Sequence, residues 1–264
     1  MLDDGPQIAE TTELSDFSIA HDLVIDIRDI KKSFGSNEVL KGFDLQLRKG
    51  ENVVVMGKSG SGKSVMIKML VGLMKPDSGS IRIMGQEIDK LDRKQLDVLR
   101  ADIGFLFQGS ALYDSMTVRE NLEFPMRRHI KRLGAHHDTT PLVLEALESV
   151  GLAHTMDLMP SELSGGMKRR IALARTLILR PKIILYDEPT SGLDPITAKE
   201  IIELMRSIQL KYGTSSLIIT HDVDCARVIS ERMILLVDGI DYAMGTYAEL
   251  SMSKDPKVEA FFKK

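Results

Sequence analysis

The stretch 53–74 constrains this chain most, because it combines a strand, a glycine-rich loop and a helix in that order. Residues 53–55 are a run of valines, apolar and β-branched as a buried strand requires. Residues 57–64 then read G-x-x-x-x-G-K-S, a pattern whose backbone N–H groups cradle phosphate oxygens. Apolar residues recur at helical spacing after it. This context favours a phosphate-binding loop over a glycine-rich turn that binds nothing.

The side chains of this loop have expected roles as well. Lys63 would reach the β- and γ-phosphates of a nucleotide, and the Ser64 hydroxyl would hold Mg²⁺. The N-terminus of the following helix adds its positive end to the N–H groups of the loop. We therefore expect a nucleotide site built from Gly57, Lys58, Ser59, Gly60, Ser61, Gly62, Lys63 and Ser64.

Composition narrows the class of protein. The chain has 264 residues, 43% of them hydrophobic, which suits one large domain or two small ones. A net charge of −3 argues against a nucleic-acid binder, which is normally basic. The single cysteine, Cys225, excludes an internal disulfide and favours a reducing compartment.

Residues 1–22 are acidic, unlike a signal peptide, and we expect a mobile leader, with a docking role as the alternative.

Strand patterns surround the phosphate loop on both sides. Apolar and polar residues alternate over 23–28 and 39–47, and 79–88 resembles a hairpin, which together predict an antiparallel β layer. Phe34 lies between the first two of these runs. It could stack on an adenine or belong to the core, and spacing alone favours the core.

Helical patterns follow in the middle of the chain. Thr117 can cap a helix, with Glu120 at the capping-box position, and Ser164 before Gly165 and Gly166 predicts a helix N-terminus suited to an anion. The basic stretch 126–137 is better explained as a solvated helix face than as a metal site at its histidine pair, His136 and His137. Further helices are expected over 92–100, 141–152 and 168–179.

A buried strand over 183–186 leads into Asp187, and an acid at the carboxyl end of such a strand is a typical Mg²⁺ ligand in phosphate-loop proteins. Asp187 lies too far along the chain from Lys63 for a simple crossover, so we expect a helical insert over about 109–179. Another strand, 217–220, ends at His221. Strands alternating with helices predict an α/β fold with a mostly parallel sheet.

The order of these motifs resembles an ABC-type ATPase over residues 23–250, with 251–264 left as a short C-terminal tail. The resemblance implies a P-loop NTPase fold with an antiparallel β layer and an inserted helical subdomain. It also implies ATP and Mg²⁺ binding, ATP hydrolysis coupled to transport, and a homodimer with ATP sandwiched between two copies. The motifs that carry it are the phosphate loop 57–64, Gln108, LSGGM at 163–167, ILYDE at 184–188, SGLD at 191–194 and His221.

The same resemblance implies a role for each site residue. Ser64, Gln108 and Asp187 would surround Mg²⁺, Glu188 would be the general base, and His221 would sense the γ-phosphate. Phe34 falls at the adenine-stacking position. Ser164, Gly165 and Gly166 would reach the γ-phosphate held by the opposite subunit, and Asp194 would lie across the dimer interface. Met167 stands where glutamine is usual, Phe34 where tyrosine is commoner, and Val65 where threonine is common, but no catalytic group is missing.

Two stretches, 107–126 and 163–170, resemble the ATPases of Mla/Mce-type lipid transporters. That resemblance implies an integral membrane permease, an Mce-domain lipid-binding protein and, in some bacterial versions, a small STAS-domain regulator. It implies phospholipid transport between membranes, with the chain held at the cytoplasmic side of the inner membrane by the permease. The motifs leave open an ABC ATPase for small-solute import or cell division, or a scaffold without transport. Two phenylalanines, Phe261 and Phe262, suggest a tail that packs on a partner or neighbouring subunit.

Overall fold

The computed structural model describes residues 22–129 and 138–263, so most of the acidic leader and the pair His136 and His137 lie outside the described residues. Its strands are β1 (Leu23–Phe34), β2 (Asn37–Arg48), β3 (Asn52–Gly57), β4 (Ser78–Ile83), β5 (Gln86–Glu87), β6 (Ile103–Leu106), β7 (Ile183–Asp187), β8 (Ser215–Thr220), β9 (Arg232–Val237) and β10 (Ile240–Gly245). Its helices are α1 (Lys63–Leu70), α2 (Arg93–Arg100), α3 (Val118–Met126), α4 (Thr140–Glu148), α5 (Gly165–Leu177), α6 (Pro195–Tyr212), α7 (Val223–Ile229), α8 (Tyr247–Ser251) and α9 (Pro256–Phe262).

The strands form two sheets. A four-stranded antiparallel sheet has the order β2-β1-β4-β5, which confirms the predicted antiparallel layer. A six-stranded sheet has the order β10-β9-β3-β8-β7-β6, and its strands are parallel except for β10. β10 follows Asp238 and Gly239 and returns along β9, and it was not among the strands predicted from the sequence.

The central strands are buried on both faces, and alternate residues face two different cores. Val54 and Tyr186 belong to the core under the helices, together with residues of α3, α4, α5, α6 and α7. Val53, Val55 and Leu185 belong to the core shared with the antiparallel sheet and α1. Strands buried on both faces explain the nearly unbroken apolar runs in the sequence.

Because β9, β3, β8, β7 and β6 are parallel, their carboxyl ends lie at one edge of the sheet. β3, β8, β7 and β6 are neighbours in that order, and their carboxyl ends are Gly57, Thr220, Asp187 and Leu106. Residues that follow these strands therefore meet, although they are widely separated in sequence.

The two largest differences from the predicted helix boundaries each have a local cause. α5 begins at Gly165 rather than at 168, because the Ser164 hydroxyl accepts a hydrogen bond from the Met167 N–H and caps the helix. α4 ends at Glu148 rather than at 152, and Gly151 adopts a left-handed φ of 72° just beyond it. α3, α4 and α5 all lie between β6 and β7.

The C-terminal residues fold back onto the chain itself. The rings of Phe262 and Tyr247 meet edge to face at 5.6 Å, and Val258 is buried. Phe261 and Phe262 both pack against the core under the helices. Both side chains remain only half-buried, so their packing on a partner or neighbouring subunit stays a prediction. Within the described residues, none of the helices has the length and apolar character needed to cross a membrane.

Candidate functional site

A cleft of about 630 Å³ lies at the carboxyl edge of the parallel strands. Val39, which the sequence did not single out for the site, and Val65, which follows Ser64, contribute to its wall. The cleft brings together most of the residues predicted for the site: Phe34, Lys58, Ser59, Gly60, Gly62, Lys63, Ser64, Gln108, Asp187, Glu188 and His221.

The loop between β3 and α1 has a shape that only glycine permits at two positions. Gly62 has a φ of 106°, and a Cβ there would lie 3.0 Å from the side chain of Leu40. A Cβ on Gly57 would lie 2.5 Å from the Ser61 hydroxyl oxygen, which is buried without a hydrogen-bond partner among the described residues. The backbone therefore passes close to β2 and to itself, as a loop that turns its N–H groups toward a phosphate must.

Lys63 lies on the floor of this loop. Its Nζ donates hydrogen bonds to the carbonyl oxygens of Gly57 at 2.6 Å and Lys58 at 2.9 Å. Burial lowers the pKa of Lys63, and the negative charges of Glu188 and Asp187 oppose that shift. The ammonium group is thus held between the loop and two acidic side chains, where a polyphosphate would meet it.

Oxygen ligands suited to Mg²⁺ line the same cleft. Burial raises the pKa of Asp187, the neighbouring charge of Glu188 raises it further, and Lys63 acts in the opposite direction. A bound cation would relieve this repulsion between carboxylates. The Ser64 hydroxyl and the Gln108 side-chain amide also line the cleft and offer hard oxygen donors, so the residues present fit ATP with Mg²⁺.

Glu188 and His221 form a contact pair across the ends of β7 and β8. The His221 Nδ1 lies 2.8 Å from the Glu188 Oε2, and the Thr220 hydroxyl donates to the same oxygen at 3.4 Å. The backbone N–H of Glu188 donates to the carbonyl oxygen of Ile219 at 2.8 Å. These contacts fix the position of one carboxylate beside the predicted metal ligand Asp187.

Phe34 is the last residue of β1 rather than a loop residue, and its side chain is 48% exposed at the cleft. The alternative that it belongs to the core is therefore wrong. Lys32 approaches the ring, with Nζ 5.8 Å from its centroid. An exposed aromatic face is available for a planar ligand.

Ser164, Gly165, Gly166 and Asp194 do not line this cleft. They lie instead where the N-termini of α5 and α6 meet. A Cβ on Gly166 would lie 2.7 Å from the Thr197 methyl carbon, and the Asp194 carboxylate caps α6 by accepting from the Thr197 N–H at 3.1 Å. These four predicted residues therefore form a second surface, separate from the phosphate loop.

Comparison with protein families decides the family of this arrangement. A family described as ABC transporter matches residues 40–191, which include the phosphate loop, Gln108, Ser164 and Glu188. The chain belongs to the ABC transporter family. Its fold class, predicted from the sequence, is confirmed by the two sheets and by solved structures of the same family.

Curated relatives of this ABC chain carry names that refer to different compounds. Probable ribonucleotide transport ATP-binding protein mkl of Mycobacterium leprae is 38% identical over 90% of this chain and 68% of its own length. Protein TRIGALACTOSYLDIACYLGLYCEROL 3, chloroplastic, of Arabidopsis thaliana is 38% identical over 91% and 73%. Methionine import ATP-binding protein MetN of Campylobacter jejuni is 36% identical over 90% and 75%.

A solved relative is the ATP-binding cassette MJ0796, captured as a dimer in a post-hydrolysis state with ADP and Pi. It is 34% identical, with a TM-score of 0.75 over 84% of this chain and 98% of that one. As a member of the ABC family with this site, the chain binds ATP with Mg²⁺ and is an ATPase.

Sequence reasoning did not single out two of the polar residues that position this ABC site. Thr220 contacts Glu188, and its only signal was a hydroxyl residue at the end of a buried strand. Arg169 is 4% exposed on α5, where a charge on the apolar side of a helix was the available signal. Ser191, named only as part of a motif, accepts a hydrogen bond from Gln108 Nε2 at 3.3 Å.

Proposed function

We propose that this chain is the ATPase subunit of an ABC transporter that moves phospholipid between membranes through an Mce-type system. The observation that carries the proposal is the segment 107–126, which begins beside Gln108 and resembles the same segment of Mla/Mce-type ATPases. The stretch 163–170 supports it in the same way. A plant relative that is named after a glycerolipid adds further support.

The surface next to Gln108 suits an apolar partner. Phe107 and Tyr113 are each 44% exposed, and Phe124 is 39% exposed. The rings of Tyr113 and Phe124 lie 4.8 Å apart, so they form one patch rather than scattered residues. Such patches mark interaction sites. We assign this patch to an integral permease, which would hold the chain at the cytoplasmic side of the inner membrane.

The chemistry assigned to the cleft needs positioning and charge more than covalent steps. Lys63 and the N–H groups of the loop bind the phosphates of ATP, and Phe34 stacks on its adenine. Ser64, Gln108 and Asp187 are the side chains that hold Mg²⁺. When bound, Mg²⁺ offsets the charge that develops on the phosphate oxygens.

The water that attacks the γ-phosphate needs a base, and we assign Glu188 to that role. Its carboxylate lies beside Asp187 and is oriented by His221 Nδ1 at 2.8 Å. His221 in turn links the base to the γ-phosphate position. A general base within hydrogen-bonding reach of the water removes its proton in the transition state.

A second copy of the chain completes the proposed site. Ser164, Gly165 and Gly166 lie on a surface away from the cleft, so they serve the nucleotide of the opposite subunit in a head-to-tail dimer. Asp194 lies on the same surface, at the dimer interface. The dimeric form of MJ0796 supports this arrangement. The catalytic unit in this proposal spans residues 23–250.

Small-solute import is the second candidate. The names of two relatives, which state ribonucleotide transport and methionine import, favour it. The two candidates share every residue of the ATP site and differ only in the partner at the patch formed by Tyr113 and Phe124.

Purification of the tagged full chain from detergent-solubilised membranes of its own organism distinguishes them. We expect an integral permease and an Mce-domain protein in stoichiometric amounts, with a STAS-domain protein in systems that have one. A double variant, Tyr113→Ser with Phe124→Ser, should release the permease, whereas Ile240→Ser, an exposed apolar residue on β10, should not. Recovery of an amino-acid or nucleotide permease would overturn the lipid proposal and support the second candidate.

A further inference from the structure

Arg169 is a buried cation whose side chain contacts backbone rather than acid. Its guanidinium donates from Nη1 to the Phe107 carbonyl oxygen at 2.8 Å and from Nη2 to the Ser191 carbonyl oxygen at 3.2 Å. Burial lowers the pKa of Arg169, and no acidic side chain among residues 22–129 and 138–263 forms an ion pair with it. Burying a charge costs free energy unless the charge is well hydrogen-bonded. The gain in fold stability alone therefore does not explain why an arginine occupies this position.

The two carbonyl groups that Arg169 holds belong to two different parts of the site. Phe107 directly precedes Gln108, and Ser191 begins the loop that ends at Asp194. The side chains of Gln108 and Ser191 also bond directly, with Nε2 3.3 Å from Oγ. One planar guanidinium thus fixes the distance between two loops that leave neighbouring strands.

Arg175, further along the same helix, holds the far end of the Gln108 loop. Its guanidinium donates to the carbonyl oxygens of Ala111 at 2.7 Å and Ser110 at 2.9 Å. Ser110 and Ala111 have φ angles of 61° and 48°, a left-handed conformation that non-glycine residues rarely adopt. The loop around Gln108 is therefore held at both ends by α5.

We infer that Arg169 is a positioning residue that ties Gln108 and the Ser191–Asp194 loop to α5. Ser164 caps the N-terminus of that helix. The Arg169 guanidinium therefore connects the Gln108 loop to the two segments that we propose face a second copy, the N-terminus of α5 and the Ser191–Asp194 loop. Arg169 acts through backbone and does not touch the nucleotide. The inference rests on the roles proposed for Gln108 and Asp194, and its first test does not depend on those roles.

Hydrogen–deuterium exchange of the full chain tests the contact directly. Arg169→Met keeps apolar bulk but removes both donors, and we expect amides in 107–111 and 190–194 to exchange about 10-fold faster or more, since these segments lose their anchor. The control is Arg170→Met, on the next residue of α5, which loses a surface pair with Glu200 at 2.5 Å. Wild-type protection of both segments in Arg169→Met would overturn the inference.

Kinetics then separate positioning from a general structural role. Loss of a residue that orients a metal ligand typically costs about 10- to 100-fold in metal affinity or activity. Arg169→Met should therefore lower kcat, and raise the Mg²⁺ concentration that gives half-maximal ATPase activity, by about 10- to 100-fold. ATP affinity measured with EDTA should stay within about threefold, because Lys63 and the loop 57–64 are separate from α5. Arg169→Lys, which keeps the charge but not the fork, should recover only part of the loss.

The outcomes are distinguishable. A parallel fall in thermal stability, EDTA-measured ATP affinity and kcat would show a merely structural role and overturn the inference. Faster exchange with no change in the Mg²⁺ requirement would uphold the contact but overturn the link from Arg169 to a metal ligand, and with it the role proposed for Gln108.

Discussion

Replacement of Glu188 by glutamine is the sharpest test of the proposed chemistry. Glutamine keeps the size and shape of the side chain but cannot accept a proton. Among the described residues, every hydrogen bond to this carboxylate ends on Oε2, with His221 Nδ1 closest at 2.8 Å. The other oxygen, Oε1, is therefore the one that would take the proton of the attacking water, and Glu188→Gln removes that function while an amide oxygen can still accept from His221.

Glu188→Gln should lower kcat but not ATP affinity, because the proposed base and the phosphate contacts are different residues. A positioned general base contributes about 10²- to 10⁴-fold to a rate, so kcat should fall by that factor. At about 1.4 kcal/mol for each tenfold change, the barrier rises by roughly 3 to 5 kcal/mol. ATP affinity should remain within about threefold, because Lys63 and the loop 57–64 make the phosphate contacts.

Three measurements on the intact chain with its membrane partner check this prediction. Phosphate release gives kcat, titration with a fluorescent ATP analogue gives affinity, and light scattering gives the mass with and without ATP. The variant should accumulate an ATP-bound dimer that does not turn over. The control is Glu203→Gln, an exposed acid on α6 that is 3.9 Å from Lys199. Near-normal turnover by Glu188→Gln would refute the assignment, and an equal loss of affinity would mean that the carboxylate acts in binding.

Three further changes test other parts of the molecule. Phe34→Ala should weaken ATP binding by about 5- to 150-fold, since stacking of a base on an aromatic ring contributes about 1–3 kcal/mol, and Phe34→Tyr should not, as measured by the same nucleotide titration. Gly62→Ala, at a φ of 106°, should abolish nucleotide binding while the thermal midpoint falls by only a few degrees, since it reshapes a surface loop. Phe262→Ala should lower the free energy of unfolding in urea by about 1–2 kcal/mol in dilute protein, because its ring packs on Tyr247 in the same chain, with ATP affinity unchanged.

The sequence predicted those parts of the site whose conformation depends on residues adjacent in the chain. The phosphate loop follows from its glycines and the flanking apolar runs, and Asp187 from its place after a buried strand. Both depend on neighbouring residues in the chain. Spacing alone favoured the core for Phe34, because exposure depends on what the rest of the fold places over a residue, and the structure leaves 48% of its side chain exposed.

Contacts between distant segments could not be predicted in the same way. Arg169 bonds to the backbone of residues 107 and 191, and a backbone carbonyl leaves no trace in the sequence. The tail gives a related example. Phe261 and Phe262 pack against the core under the helices, but the pattern of apolar residues in the sequence does not say whether the same chain or a partner covers such residues.

The backbone at Glu188 shows how two adjacent acids come to share one cleft. Successive side chains of a strand point to opposite faces, so continuing β7 past Asp187 would carry the Glu188 carboxylate away from it. Instead Glu188 has a φ of 50°, a left-handed conformation that costs a non-glycine residue on the order of 1–3 kcal/mol. Its N–H bonds to the Ile219 carbonyl oxygen at 2.8 Å and its side chain meets His221, so β8 holds the turn in place. Glycine at this position would relieve the backbone strain but would remove the carboxylate. The fold therefore keeps a strained backbone at Glu188 because the proposed base must stand there.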